Sequence, residues 1–533
     1  MPGLLSDFLL LLWVLVSVLS IGIALCLRFT QFKGIELIGY GTGAGVLVHG
    51  LFGLLIAVSW HLRHVTGVFP ICAAAVAIWF LIRRRALGEI LSSLSRPLRL
   101  ALLGWLVLLL LGLTVVRVTV VWPDSLKDGA YVFKKHSLNV KIQYLTTQPA
   151  DNFIPYVVTE FFHRGISFKK EHPLLPLNEV SNRTVLMSLV VLPFRTVLGW
   201  HQRREKDLGT FTYVGKQWPA VERLNEDDSY NQFYVVGMFL NSLMLLGLIV
   251  LFANFEFPAF LPGGALLYLT SPYFLSQTIF TWPKAMAAFF VFLTWNSARQ
   301  KHDPRFVALC AALAYHSHPA SLPIAASLGL WYAIGAWRAK SGFRPVYQYA
   351  LVFFLAVLPW FAWTRLFLQL PDNMLALNFS GPGTFDPFAA PLDFFWVRVS
   401  NFAVSIAPAS LMVSPFSAEE ITNYAIRCIP MAVGLIVVIP AFLECVSRWT
   451  SERMLLLYGL LLPALATLSL FSVSFPPVLL GWQPMVGILL FLGVNRLRRS
   501  FSPLTYRVLL TLQVIINLAV MALRGSLVGA HFS

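Results

Sequence analysis

Charge is scarce in this chain. Asp, Glu, Lys and Arg make up 12% of its 533 residues, about half the share of an average soluble domain. Acids are scarcer still, 24 against 40 basic residues, for a formal charge of +16. The five cysteines (Cys26, Cys72, Cys310, Cys428, Cys445) lie in or beside apolar segments and none forms a CxxC pair. No zinc site, redox motif or disulfide scaffold is indicated. No strand-associated phosphate loop is found. Gly41-Thr42-Gly43-Ala44-Gly45 lies inside an apolar run, where small residues suit close helix packing. No sequence repeat, low-complexity tract or nucleotide-binding fingerprint is visible. A secreted disulfide scaffold and a disordered chain are excluded, and no nucleotide-sugar site or Rossmann pattern is found.

What is present is hydrocarbon. Apolar residues reach 57%, more than a soluble core can hide, because chains beyond ~250–300 residues split into separate domains. Runs such as Leu98–Trp122 meet the ~20-residue length that crosses a bilayer. The sequence predicts an all-α polytopic membrane protein. On that reading the basic excess marks cytoplasmic loops and headgroup contacts, not a nucleic-acid partner.

Apolar runs place about fourteen transmembrane helices, near 4–27, 36–60, 67–83, 99–122, 230–253, 260–274, 284–298, 306–317, 320–337, 346–369, 427–446, 454–473, 478–495 and 506–524. The first lacks a basic n-region and a small-residue cleavage site, so it reads as a retained span. The segments 83–99, 298–305, 338–345 and 495–507 are rich in Lys and Arg and are expected in the cytoplasm. Threading from them puts both termini and the segment after residue 122 outside. Two further apolar stretches, 184–200 and 400–416, break this alternation if either crosses alone. They are read as amphipathic or re-entrant helices at the outer surface.

The expected organisation is therefore N-terminal helices over 1–98, a span over 99–122, and an extracytoplasmic loop over 123–229 with a juxtamembrane helix at 184–200. Central helices follow over 230–369, a second outer loop over 370–426 with its own non-crossing helix, and C-terminal helices over 427–533. The 123–229 segment holds half of the chain's acids, 12 of 24, so it is where polar chemistry is sought.

That segment opens on Trp122-Pro123-Asp124-Ser125-Leu126-Lys127-Asp128-Gly129-Ala130-Tyr131. Its two acids read either as a helix cap or as a general base, since a carboxylate accepts a hydroxyl proton. Asp151 stands in a turn, Glu160 in a short amphipathic piece, and Arg183 leads into the first non-crossing helix. Further on come Ser271-Pro272, Thr281-Trp282-Pro283-Lys284 and His316-Ser317-His318-Pro319, all at outer span ends. Lys284 begins a helix, where an anion is favoured; snorkelling to headgroups is the plainer reading. The histidines read as interfacial hydrogen-bonding groups or as phosphate ligands. Arg398, entering the second non-crossing helix, offers a bidentate fork. Arg117 and Arg365 sit inside apolar runs within reach of the outer rim. No metal-ligand set stands out.

Taken together these features resemble the GT-C superfamily of membrane glycosyltransferases. Asp128-Gly129-Ala130-Tyr131 is similar to that family's D-x-x-Y-like element, Asn182 to Gly199 to its Pro-Leu-rich juxtamembrane helix, and Ser271-Pro272 to its Ser-Pro-like element. The likeness covers roughly residues 99–420. Two departures accompany it: the acid-bearing loop follows the fourth span instead of the first, and Pro283-Lys284 replaces the usual acid. The second favours phosphate contact by Lys284 over a metal-assisted mechanism, although a divalent metal stays compatible with the pattern.

The resemblance implies a GT-C-like fold and inverting transfer of a hexose or pentose. The donor is a polyprenyl-phosphate-linked sugar and the acceptor an extracytoplasmic glycan, lipid or protein. Asp128 is the expected base, with Asp124 as its substitute. Lys284, His316, His318 and Arg398 hold the donor phosphate; Tyr131, Asp151, Glu160 and Arg183 serve the acceptor or the loop. The expected location is a bacterial inner membrane with a periplasmic site, with membrane lipids as partners. A multi-pass transporter or lipid flippase is the alternative; scarce acids deep in the spans and the long outer loop count against it.

Overall fold

In the computed structural model the described residues are 2–114, 121–127, 130–135, 153–168, 180, 184–201, 210–213, 216–219, 224, 229–254, 258–279, 281–340, 342–369, 391–392, 433–470 and 483–532. The described residues form a helical bundle with two small two-stranded sheets. Each of the fourteen apolar runs carries helix. Eight described helices are long and apolar enough to cross a membrane: Leu4–Phe29, Gly34–Val58, Trp60–Arg83, Arg96–Thr114, Ser229–Phe252, Pro319–Ala339, Arg344–Phe367 and Pro503–Ala522. A ninth arises if Pro272–Ile279 and Lys284–Arg299, which meet at a 106° bend, form one broken span.

In chain order the elements are α1 (Pro2–Phe29), α2 (Gly34–Val58), α3 (Arg63–Arg83), α4 (Ala86–Ser93), α5 (Arg96–Thr114), β1 (Val121–Lys127) and β2 (Ala130–Lys135). There follow α6 (Phe153–Arg164), α7 (Leu186–Leu198), β3 (Thr210–Tyr213), β4 (Lys216–Pro219), α8 (Ser229–Phe252), α9 (Leu261–Thr270) and α10 (Pro272–Ile279). The rest are α11 (Lys284–Arg299), α12 (Pro304–Ser317), α13 (Leu322–Ala339), α14 (Arg344–Phe361), α15 (Leu435–Ser447), α16 (Leu462–Leu470), α17 (Gln483–Ser500) and α18 (Pro503–Phe532).

Helix α8 is the axis of the bundle. Its sequence is apolar around its whole circumference, which suits a helix enclosed on every side, and its most apolar window is 100% buried against 17% for Pro503–Ala522. It packs on α1, α5, α10 and α11. The glycine run in α2 makes the contact with α1 a backbone one. A Cβ on Gly45 would lie 2.0 Å from the Val18 carbonyl oxygen, so no larger residue fits without moving a helix.

The fourth span differs from its sequence reading. Its helix ends at Thr114, and Val121–Lys127 is a strand paired with Ala130–Lys135. Residues 115–120, Arg117 among them, lie outside the described residues. Helix α7 forms where the juxtamembrane helix is expected, but it is covered by protein: it packs on α2, α3, α6 and α8, with Met187, Val190, Val191 and Phe194 in the core. The second non-crossing stretch, 400–416, lies outside the described residues.

The ends of the helices sort in space as the Lys/Arg alternation requires. At the end bearing the 123–229 segment, Asn231 Nδ2 donates to Asp7 Oδ1 at 2.5 Å, Trp60 Nε1 to the His163 carbonyl at 3.0 Å, and Gln483 Nε2 to Gln277 Oε1 at 3.0 Å. At the other end, Arg84 donates to the Leu27 carbonyl at 3.3 Å, Asn254 and Asn296 to Glu36 at 3.3 Å each, and Arg299 pairs with Glu452 at 2.6 Å. Each contact joins two segments that the alternation puts on one side.

Candidate functional site

The break between α10 and α11 gathers buried polar side chains near the loop-bearing end. Proline at 283 precedes the first turn of α11, and Lys284 is the first helical residue. A helix start leaves backbone N–H groups without internal partners. Asn241 of α8 answers this: its Oδ1 accepts from Met286 N at 3.3 Å, while its Nδ2 donates to the Trp282 carbonyl at 3.2 Å. The bend is thereby fixed to the bundle axis.

Lys284 is 4% exposed. Its ammonium lies 3.6 Å from the centroid of the Trp282 ring, an attraction worth more as the cation is desolvated. Trp282 in turn stands edge-on to His318, with ring centroids 5.8 Å apart. His318 Nδ1 accepts from the Ala320 N–H at 3.1 Å. A backbone N–H can only donate, so the ring proton of neutral His318 sits on Nε2. Lys284 and His318 line one narrow cavity with Ser321, Gln483, Ala287, Ala288 and Val291. Ser321 is 5% exposed, and its Oγ has no hydrogen-bond partner among the described residues. The cavity thus combines one cation, one imidazole N–H and a hydroxyl over an alanine-lined wall. The space they enclose is small, about 10 Å³, roughly that of one water; the donor set has the chemistry to contact an anion.

The two histidines separate. His316 Nε2 donates to the Ala356 carbonyl of α14 at 2.8 Å and does not line the Lys284 cavity. The cause is position: His316 lies within the last turn of α12, and His318 follows it in extended backbone (φ −157°, ψ 130°).

Glu160 is the centre of a second cluster. It is fully buried on α6 and accepts from Arg195 Nε at 2.6 Å, Arg195 Nη2 at 3.2 Å and Arg164 Nε at 3.0 Å. Arg195 also donates to Gln232 at 3.3 Å, and Arg164 to the Leu224 carbonyl at 2.7 Å. Burial pushes the Glu160 carboxyl upward, but Arg195, His163 and Arg164 outweigh it and hold it below the ordinary value. The cluster ties α6, α7 and α8 together. Gly199 makes room for it: a Cβ there would lie 2.3 Å from Arg195 Nη1 and 2.6 Å from His163 Nε2. The carboxylate is thus committed to two guanidiniums, a structural position for a residue read as serving the acceptor or the loop.

The two clusters meet through aromatic residues. Tyr156 of α6 bonds Ser229 Oγ at 2.6 Å and stands edge-on to Tyr230 at 5.2 Å. Gly237, two turns along α8, faces Thr281 beside the bend. Thr184 Oγ1 donates to the Tyr315 carbonyl at 3.1 Å, joining the start of α7 to the end of α12.

Of the remaining sequence candidates, Asp124 lies in β1 where the register shifts between Pro123 and Ser125, and Tyr131 lies in β2 opposite Leu126. Asp128, Asp151, Arg183 and Arg398 lie outside the described residues. Among the described residues no group of three or more His, Cys, Asp and Glu side chains could hold a metal ion. Sequence reading missed Ser321, Gln483 and Asn241. Serine after His-Pro and glutamine before Pro484 at a span start were visible signals of polar residues at membrane ends. Their convergence on Lys284, across more than 30 and nearly 200 positions, was not.

Comparison with known proteins finds no matching family model, no matching curated protein and no matching solved structure.

Proposed function

We propose that this chain is an integral membrane glycosyltransferase of GT-C type, with about fourteen membrane-spanning helices. It transfers a sugar from a polyprenyl-phosphate donor to an extracytoplasmic acceptor. The observation that carries the reading is the shared cavity of Lys284 and His318 at the end of the bundle bearing the 123–229 segment. In this reading the buried ammonium and the imidazole N–H stabilise charge developing on a departing phosphate, generally a large catalytic term. The adjoining alanine and valine wall is suited to the first isoprene units. In this scheme Asp128 takes the acceptor hydroxyl proton as the acceptor oxygen attacks the anomeric carbon. The sugar–phosphate bond breaks with inversion, and the phosphate leaves with its electron pair to Lys284 and His318. Asp124 is the substitute base, and Arg398 a further phosphate ligand. The buried Glu160 network positions α7 against α8. The membrane in question is a bacterial inner membrane, with the site on the periplasmic face.

The test is transfer of labelled sugar from a synthetic polyprenyl-phosphate hexose or pentose by the purified protein in vesicles. Asp128→Asn is expected to lower turnover by at least about a hundredfold, the usual scale of general base catalysis. Near wild-type turnover would remove Asp128 as the base. Movement of labelled lipid between leaflets without any transfer would replace the enzyme reading with a flippase.

A further inference from the structure

The end of the bundle opposite the 123–229 segment carries a cluster that the transferase reading does not use. Helices α15 and α17 pack side by side there, and between them Glu444 is fully buried. Its carboxylate accepts from Arg448 Nε, from Asn495 Nδ2 at 2.8 Å and from Arg499 Nη1 at 3.4 Å, and pairs with Arg496 Nη1 at 3.8 Å. One negative charge therefore faces three guanidiniums. Arg448 and Asn495 share the Oε1 oxygen at the shorter distances. Arg496 and Arg499 stand farther off, with side chains 36% and 40% exposed. A carboxylate already paired with Arg448 does not neutralise two more cations, so both keep donors facing outward. Each guanidinium has five N–H donors in a rigid fork that matches phosphate.

The carboxylate does more than offset charge. It holds the two forks near one another before any ligand arrives, which reduces the ordering cost of binding a second anion. Exposed aliphatic side chains stand at the same end of the bundle: Val446 near the end of α15 is 76% exposed, and Leu504 and Val508 near the start of α18 are 73% and 57% exposed. Paired arginine forks at an end of the bundle that also exposes aliphatic side chains match a headgroup phosphate with acyl chains below it. A soluble anion would satisfy the arginines and leave the aliphatics without a partner. Basic pockets between helix ends are a known mode of anionic-lipid recognition.

We propose that Arg496 and Arg499, pre-set by Glu444, form a site for the phosphate of an anionic phospholipid at this rim of the bundle. The site is independent of the transferase reading.

The test uses the full chain in neutral detergent and follows thermal unfolding with phosphatidylglycerol, phosphatidylcholine or glycerol phosphate at equal phosphate concentration. Phosphatidylglycerol is expected to raise the midpoint above that with phosphatidylcholine, and glycerol phosphate to leave it unchanged. The Arg496→Gln/Arg499→Gln variant is expected to lose the increment. An Arg338→Gln/Arg344→Gln control, changing exposed basic residues of the same end, keeps it. The proposal is overturned if the first variant keeps the increment, if the control loses it equally, or if glycerol phosphate acts as well as the lipid. Should the double variant not fold, Arg499→Lys decides by co-purified phosphatidylglycerol. It keeps the charge and removes the fork, so retention is expected to fall, and unchanged retention overturns the site.

Discussion

At the scale of single residues, two buried charges have opposite uses. Glu160 is enclosed by Arg195 and Arg164, and removing one partner of a buried pair leaves the others uncompensated, at about 3–5 kcal/mol. Glu160→Gln is expected to lower the unfolding midpoint sharply with little change in donor specificity; a midpoint equal to wild type would remove its structural role. The pH dependence follows from the depressed carboxyl. Its contribution is complete above the ordinary value of 4.5 and is lost as pH falls through the lower folded value. A stability profile that falls below pH 4.5 in wild type but not in Glu160→Gln is the expected signature. Lys284 lies over the face of Trp282 and lines a cavity. Lys284→Met, similar in length and apolar, is expected to keep the fold and abolish phosphate-dependent transfer. Transfer at wild-type rate would leave the cavity without a catalytic role.

These residues were unequally legible. Lys284 after a Trp-Pro at a span start announced itself, because a cation at a membrane rim is visible in the sequence alone. Glu160 read as part of a short amphipathic piece of the outer loop. Its enclosure depends on Arg195, 35 positions away, and no local pattern records that pairing. His316 and His318 read as a pair, yet the end of α12 falls between them and sends them to different neighbours.

At the scale of elements, apolar runs located the helices well because lipid or protein burial demands the same composition over the same length. They did not tell a lipid-facing helix from an enclosed one: α8 and α18 read alike, although one is the axis and the other lies at the periphery. The span read over 99–122 overlaps β1 at Val121 and Trp122. The Asp128-Gly129 dipeptide separating β1 from β2 is also a hairpin-turn signal, present in the sequence and read there only as part of an acidic motif. Close packing of α1 on α2, expected from the glycine run, is borne out at Gly45. Gly45→Ala is expected to destabilise by about 1–3 kcal/mol through overpacking. Gly335→Ala on α13, where nothing lies within 4 Å of an added Cβ, is expected to be neutral or slightly stabilising. Equal effects in thermal melts would remove the close-approach argument.

At the scale of the whole molecule, the helix ends form two layers whose contacts agree with the charge alternation. Single cysteines at His61 and Lys301, both exposed, belong to opposite layers. In cells whose intrinsic cysteines have been replaced, an impermeant thiol reagent is expected to label position 61 from outside and position 301 only after lysis. Labelling of both from the same side would break the topology and detach the 123–229 segment from the Lys284 cavity.

The central claim is that this cavity receives a lipid phosphate. A polyprenyl phosphate bearing a photoreactive group on its first isoprene unit, activated in membranes and mapped by peptide mass spectrometry, reads this directly. The account predicts attachment within residues 284–291 or 318–321, lost in Lys284→Met. Attachment confined to other helices, and unchanged in that variant, would contradict it.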